Sequence, residues 1–496
     1  MEQHLTIYFT SDLHGFFFPT NYADHTKKSL GLLQCASQFK KDNSTLVIDG
    51  GDILQGSAFT YYCKKILKSS LPIAHVMNQC NYDYVTLGNH DFNYGFEYTL
   101  EYLNNLEARC VCQNIKHKDG TYPFSYDIRV MDNGLRVLVM GLVTDYVNVW
   151  ETKENLNNIQ IVDPFSEAKQ VLSKVEDQVD LSICIYHGGF EREIATGRPL
   201  STTSENIAYK ICEELNFDLL LTGHQHMTVN GQWLHGTFIV QPKEKGIEYH
   251  KIEVSIKENK KTIQAWLLKP SLDHILVPTD DIMHIEQEVQ TWLDKELGRL
   301  EKALVPEDKL RMAQYGSEIA DLLNQIQLYY TGAQISATSL ANDCSGFQEV
   351  VTRRDILATY PYSNTLMLME ITGEKLWAAI QRSAEYFDVD GQGDLCISKK
   401  FLEPKVEHYN FDFYAGIEYK LDPLRAVGDR VVQLCFHGID IKNTDSFLMC
   451  INNYRASGAG GYDMYVNCGI LEEVSIEMVE LIMDYFEDKL GEDRFN

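Results

Sequence analysis

From Leu5 to about Trp266, short apolar runs alternate with segments patterned as helices. "LTIYFT", "STLVIDGGD", "YVTLGNH", "RVLVMGLVT", "LSICIYHGG", "DLLLTGHQH" and "TFIVQP" are near-continuous hydrophobic stretches, the pattern of strands covered on both faces. "GLLQCASQFKK" and "IAHVMNQC" between them read as helices. This half is expected to be an α/β domain spanning residues 1–275. Next, "DDIMHIEQEVQTWLDKELGRLEKAL" places Ile282, Ile285, Val289, Trp292 and Leu300 at helical spacing behind an acidic start, which predicts a linker helix within 276–309. Mixed helix and strand patterns resume over 310–496 and close with an amphipathic helix through Ile476, Val479, Met483 and Phe486.

Chemistry-bearing residues collect where the strands of the first half should end. "FTSDLHG" supplies Asp12 and His14, "IDGGDILQG" supplies Asp52, and "GNHD" supplies Asn89 and His90. "IYHGG" supplies His187, and "LTGHQHM" supplies His224 and His226. Nearly every such end carries a glycine that lets backbone and ion approach closely. Imidazole, carboxylate and amide oxygen together suit divalent manganese, zinc, iron or cobalt. One carboxylate can bridge two ions, and Asp52 is the central candidate. Such a pair, about 3.5–4 Å apart, clamps a phosphoryl group and activates water. Any one motif is weak, since an isolated histidine is more often structural; His75, His117, His235, His250, His274 and His437 take that reading. Five motifs in this order make chance assembly a poor account.

Composition narrows the substrates. The 496 residues carry 71 acidic and 44 basic side chains, a formal net charge of -27. That argues against polymeric nucleic acid, which needs a basic face, while bound metal ions can still attract a small phosphate ester. No apolar run approaches membrane-spanning length, so no membrane partner is expected. Twelve scattered cysteines, many inside strand-like runs, fit reduced thiols of a cytoplasmic protein. A leader removed from the chain would move that location outside the cell without changing the chemistry. Oligomeric state is not legible.

The order D-x-H, G-D, G-N-H-[DE], H and G-H-x-H resembles the calcineurin-like metallophosphoesterase superfamily. The second half resembles the C-terminal domain of the 5'-nucleotidase family through "YPYSNTLMLMEITGEKL" and "INNYRASGAGGYDMY". The resemblance implies an N-terminal αββα sandwich, a C-terminal α+β domain holding the nucleoside, and a small-molecule nucleotide as substrate between them. It implies that Asp12, His14, Asp52 and His226 hold one metal, and Asp52, Asn89, His187 and His224 the other. His90 would meet the phosphate, stabilising its charge or assisting the leaving oxygen, and Asp91 would be structural. Tyr362 and Tyr454 would stack on the base, although core packing is their bland reading; Asn364 and Arg455 are weaker candidates for ribose contacts, open to solvated or capping roles.

Three departures set this chain apart from typical 5'-nucleotidases. Asn93 stands where an Asp orients the catalytic His. "NDCSGFQ" carries Phe347 where an Arg would hold the nucleotide, and Gly460 replaces an Asp that meets the base. "GNHDFNYG" and "GGDILQGS" resemble the 2',3'-cyclic-nucleotide 2'-phosphodiesterase/3'-nucleotidase branch instead. The expected activity is therefore that of this branch, acting by metal-activated water; 5'-nucleotidase is the alternative. A protein phosphatase would leave the second domain and its tyrosines unexplained. An inactive nucleotide-binding scaffold would have lost metal ligands, and none is missing.

Overall fold

The computed structural model describes residues 2–200, 203–258, 260–403, 405–466, 468–474 and 476–491, with side chains to 487 in the last helix. The chain divides into two compact units, Met1–Val289 and Gln290–Asn496. In the first, six strands carry the argument: β1 (Gln3–Thr10), β2 (Thr45–Asp49), β3 (Tyr84–Val85), β4 (Arg136–Val143), β5 (Leu181–His187) and β6 (Leu219–Thr222). β1, β2 and β3 are mutually parallel neighbours in one six-stranded sheet; β4, β5 and β6 are parallel neighbours in another.

The period of two along each strand explains why the runs are apolar throughout. Leu5, Ile7 and Phe9 of β1 and Leu46 and Ile48 of β2 share one buried core with Val137 and Val139, Ile183 and Ile185, and Leu219 and Leu221. That core lies between the sheets. The alternate residues Leu138, Met140, Leu142, Cys184, Tyr186 and Leu220 pack outward against the helices Pro164–Val175 and Ala208–Glu214. On the far face of the first sheet, Tyr8 stacks on Phe39 at 4.9 Å. The result is an αββα sandwich, as the resemblance to the calcineurin-like metallophosphoesterases implies.

Three expectations need adjustment. "GLLQCASQFKK" is helical only over Leu32–Ala36; the next amides reach back three residues, Gln38 to Cys35 and Phe39 to Ala36, which turns Phe39 onto Tyr8. The long helix spans Asp280–Leu293, and Glu296–Arg299 is a strand paired with Val350–Thr352. Leu300 donates its N–H to Glu349 O and so leaves the helical face. Gly298 packs so closely on Phe486 that a Cβ there would lie 2.9 Å from the ring. The last helix begins at Met478, leaving Ile476 outside it.

The second unit is built on a mixed five-stranded sheet, in spatial order Asp412–Ala415, Ile335–Ser339, Ser446–Asn452, Leu366–Thr372 and Gly469–Val474. Its core includes Ile335, Met369, Leu376, Ile380, Met449 and Tyr462.

Ile183 lies at the centre of the intersheet core with no exposure. Ile183→Ala should destabilise the protein by about 2–5 kcal/mol, read from the urea midpoint of the first unfolding transition. An unchanged midpoint would contradict this packing.

Candidate metal centre

The candidate ligands follow the strand ends closely. Asp12 lies two residues past β1, Asp52 three past β2, and Asn89 four past β3; His187 closes β5, and His224 lies two past β6. The structure brings Asp12, His14, Asp52, Asn89, His90, His187, His224 and His226 into one cluster, linked by the contacts below.

Backbone conformation is the first sign of a constraint. Asp12, His14, Asp52, His224 and His226 all have positive φ, between 48° and 69°. Each such non-glycine residue costs about 1–3 kcal/mol and persists only where surrounding structure enforces it. Here the enforcement is a set of cross-links between loops. The Asp12 amide donates to Gly51 O at 2.9 Å and the His14 amide to Asp52 O at 2.7 Å. The His90 amide donates to Asp52 Oδ1 at 2.8 Å, and that of His224 to Asp12 Oδ1 at 2.9 Å. Asp91 accepts the amides of Asp52, Ile53, Leu54 and Gly88 at 2.8–2.9 Å. It is the buckle of the loop.

The imidazoles are aimed by their outer nitrogens. His187 Nδ1 faces Gly50 O at 2.7 Å, and His14 Nδ1 faces Gln55 O at 3.0 Å. A carbonyl can only accept, so in both rings Nδ1 carries the proton and Nε2 faces the centre. His14 Nε2 and His226 Nε2 stand 3.1 Å apart, and His226 Nε2 lies 3.4 Å from Asp12 Oδ1. Asp52 Oδ2 lies 3.2 Å from His187 Nε2 and 3.8 Å from His14 Nε2. Asp12, His14 and His226 form one group whose ligand atoms lie within 4.8 Å of one another, and Asp12, Asp52 and His187 form a second. Asp12 thus belongs to both triads, while Asp52 touches histidines of each. His224 Nδ1 faces Asn89 Oδ1 at 2.8 Å.

Charge explains what the cluster lacks internally. Asp12 and Asp52 have no exposure. Burial works against their ionisation, yet His187 and His226 hold Asp12 below the usual carboxylate range, and His187 and His90 do the same for Asp52. Burial resists the charging of His187 too, but Asp52 and Asp12 raise it to about 10. Burial pushes His14 down to about 3. Among the described residues, buried Asp52 Oδ2 and His187 Nε2 have no aligned hydrogen-bond partner. Two ionised carboxylates and converging imidazole nitrogens, the donor set of a buried acid–imidazole cluster, fit divalent cations.

Several supporting residues carried no signal at a strand end. Ser11 Oγ donates to Asp12 Oδ2 at 2.6 Å. Glu205 Oε1 lies 2.8 Å from His224 Nε2, and Trp150 stacks on the His224 ring at 5.6 Å. Glu151 and Asn155 stand behind Asn93, which itself accepts from His90 Nδ1 at 2.7 Å.

In the second unit, Tyr362 is half-buried against Tyr360, with ring centroids 5.7 Å apart. Burial raises its phenol, with Tyr360 and Tyr454 contributing next. Asn364 Nδ2 donates to Tyr360 Oη at 3.3 Å. Arg455 does not serve as a ribose contact. Only 2% exposed, its guanidinium is occupied by Asp412 at 2.8–3.2 Å, Asn410 at 3.1 Å, and the carbonyls of Ala459 and Tyr409 at 2.9 Å. It also explains Gly460, where φ is 74° and a Cβ would fall 2.3 Å from Arg455 Nη1. Phe347, with no exposure, packs on Phe486 at 5.9 Å.

Residues 5–228 match the family model for calcineurin-like phosphoesterases, and residues 298–467 that for the 5'-nucleotidase C-terminal domain. A solved Staphylococcus aureus protein assigned by name to the 5'-nucleotidases superposes with a TM-score of 0.92 at 30% identity, covering 98% of this chain and 97% of that one. The chain belongs to the 5'-nucleotidase family. Its calcineurin-like domain implies divalent metal ions. The 2',3'-cyclic-nucleotide 2'-phosphodiesterase/3'-nucleotidase of Haemophilus influenzae is 24% identical over 92% of this chain and 80% of its own length. The trifunctional nucleotide phosphoesterase protein of Bacillus subtilis is 24% identical over 98% of this chain, which spans 38% of that protein.

Gly88 allows Asp52 into place: a Cβ at residue 88 would lie 2.1 Å from Asp52 Oδ1. Gly88→Ala should displace that carboxylate and lower bound divalent metal, measured by elemental analysis of the folded protein. Full metal occupancy would contradict the role given to this close approach.

Proposed function

We propose that this chain is a divalent-metal-dependent nucleotide phosphohydrolase of the 2',3'-cyclic-nucleotide 2'-phosphodiesterase/3'-nucleotidase type. The observation that carries the reading is the buried Asp12–Asp52–His187 group, whose ligand atoms all lie within 4.8 Å of one another. Asp12, His14, Asp52 and His226 would hold one ion, and Asp52, Asn89, His187 and His224 a second, the ions being manganese, zinc, iron or cobalt. When bound, such ions polarise a phosphoester and lower the pKa of water.

The remaining work falls to the chain itself. His90, with Nδ1 committed to Asn93, keeps Nε2 for a phosphoryl oxygen or for the leaving oxygen. Tyr362 and Tyr454 would take the base by stacking, worth about 1–3 kcal/mol per face and tolerant of base identity. Asn364, tethered to Tyr360, is the remaining candidate for a sugar contact. The substrate is a small nucleotide; the net charge of -27 disfavours a polymer. Twelve unpaired cysteines, most of them buried, support a reducing compartment such as the cytoplasm. Among the described residues, no helix is long and apolar enough to cross a membrane.

Phe347 and Gly460 support this branch over release of 5'-phosphate. Neither offers the charged group that a typical 5'-nucleotidase places there, so recognition of the base would rest on stacking, which does not single out the 5'-phosphate. The second reading, 5'-nucleotidase, is favoured by the name of the Staphylococcus aureus relative.

Hydrolysis of 2',3'-cyclic AMP, 3'-AMP and 5'-AMP with added manganese decides between them. The first two should show the higher kcat/KM, and a chelator should abolish all three activities. Preference for 5'-AMP would overturn the branch assignment, and chelator-resistant or absent hydrolysis would overturn the phosphohydrolase reading.

A further inference from the structure

His90 Nδ1 is held by Asn93, and the structure shows what stands behind that amide. Asn93 Oδ1 accepts from His90 Nδ1 at 2.7 Å, while Asn93 Nδ2 donates to Glu151 Oε1. The other carboxylate oxygen, Oε2, accepts from Asn155 Nδ2 at 2.8 Å. Asn155 is fixed in turn: its Nδ2 also reaches Asn93 O at 3.0 Å, and its own carbonyl accepts the Phe96 amide at 2.9 Å. Two amide donors on two oxygens suit a carboxylate, since a protonated acid would set an O–H against an N–H. Burial pushes the Glu151 carboxyl upward, opposed by the hydrogen bonds from Asn155 and Asn93.

We infer that Glu151 is a positioning residue for His90, its carboxylate polarising the Asn93 amide so that Asn93 Oδ1 holds the His90 Nδ1 proton more strongly. The inference rests on the role given to His90 above. A carboxylate on the –NH2 end of an amide draws electron density toward the carbonyl end, and hydrogen bonds in such a chain reinforce one another. No proton passes along it. The proton stays on His90 Nδ1, the ring is held in one tautomer, and Nε2 stays directed to substrate. With the Asn93 amide reversed, its –NH2 would oppose His90 Nδ1 and Glu151 would need a proton; that arrangement makes the charge at 151 irrelevant.

The test removes the charge and then returns it at a different position. Glu151→Gln preserves shape and should lower kcat about tenfold or more, with KM and metal content unchanged. Adding Asn93→Asp to that variant should restore kcat, because the new carboxylate meets Nδ1 directly. Asn93→Asp alone, beside an intact Glu151, should lower kcat because two carboxylates then touch. In zinc-loaded protein, the downfield proton resonance of His90 Nδ1, assigned by its loss in His90→Gln, should move upfield in Glu151→Gln and return in the double variant. That resonance is read without turnover, so a chain that hydrolyses no nucleotide would refute the enzyme reading and leave this inference testable. Unchanged kcat and resonance in Glu151→Gln would overturn it, as would a loss that Asn93→Asp fails to restore. If Glu151→Gln does not fold, undiminished activity of Asn93→Asp alone overturns it.

Discussion

Two carboxylates, Asp12 and Asp52, are ionised with no exposure to water, and the first unit is arranged around that fact. Removing a carboxylate from water costs several kcal/mol even after relaxation, unless opposite charge and hydrogen bonds offset it. The left-handed backbone at five candidate ligand positions adds about 1–3 kcal/mol at each. What offsets these terms is visible: Asp91 clamping four amides, the amide of His224 on Asp12, and the imidazole of His187 between the two carboxylates. The apolar sheets beneath supply the stability that lets this edge remain strained.

The intersheet core was legible because β1, β2, β4, β5 and β6 are apolar on both faces, and a two-sided strand leaves little choice of fold. The antiparallel pair Tyr249–Lys257 and Lys260–Leu268 carries no continuous apolar run: "HKIEVSIK" alternates because one face is exposed, and alternation is a weaker signal than a continuous run. Leu300 keeps helical spacing about two turns past the true end of the helix at Leu293, so spacing alone places it on the helix. The strand at Glu296–Arg299 wins through pairing with a segment more than fifty residues later, which no local pattern encodes.

The candidate site divides in the same way. Asp12, Asp52, Asn89, His187 and His224 announce themselves because strand ends are short, polar and glycine-rich. Glu151, Asn155 and Glu205 lie in irregular segments with no marker, and only three-dimensional proximity joins them to His90 and His224. Arg455 is only a weaker candidate for a ribose contact in the sequence, equally open to a solvated or capping role. Its burial against Asp412 depends on a partner more than forty residues away, and its guanidinium gives Gly460 a steric reason in addition to the charge that position lacks.

The central claim is that this buried acid–imidazole cluster exists to hold divalent cations. Calorimetric metal titration at pH 8, in two buffers of different ionisation enthalpy, counts ions and protons together. With His187 raised to about 10, its Nε2 must release a proton before it can bind an ion. The account predicts two ions per chain with net proton release, and weaker binding with fewer ions in Asp52→Asn. Binding without proton release, or with stoichiometry unchanged in Asp52→Asn, would contradict it.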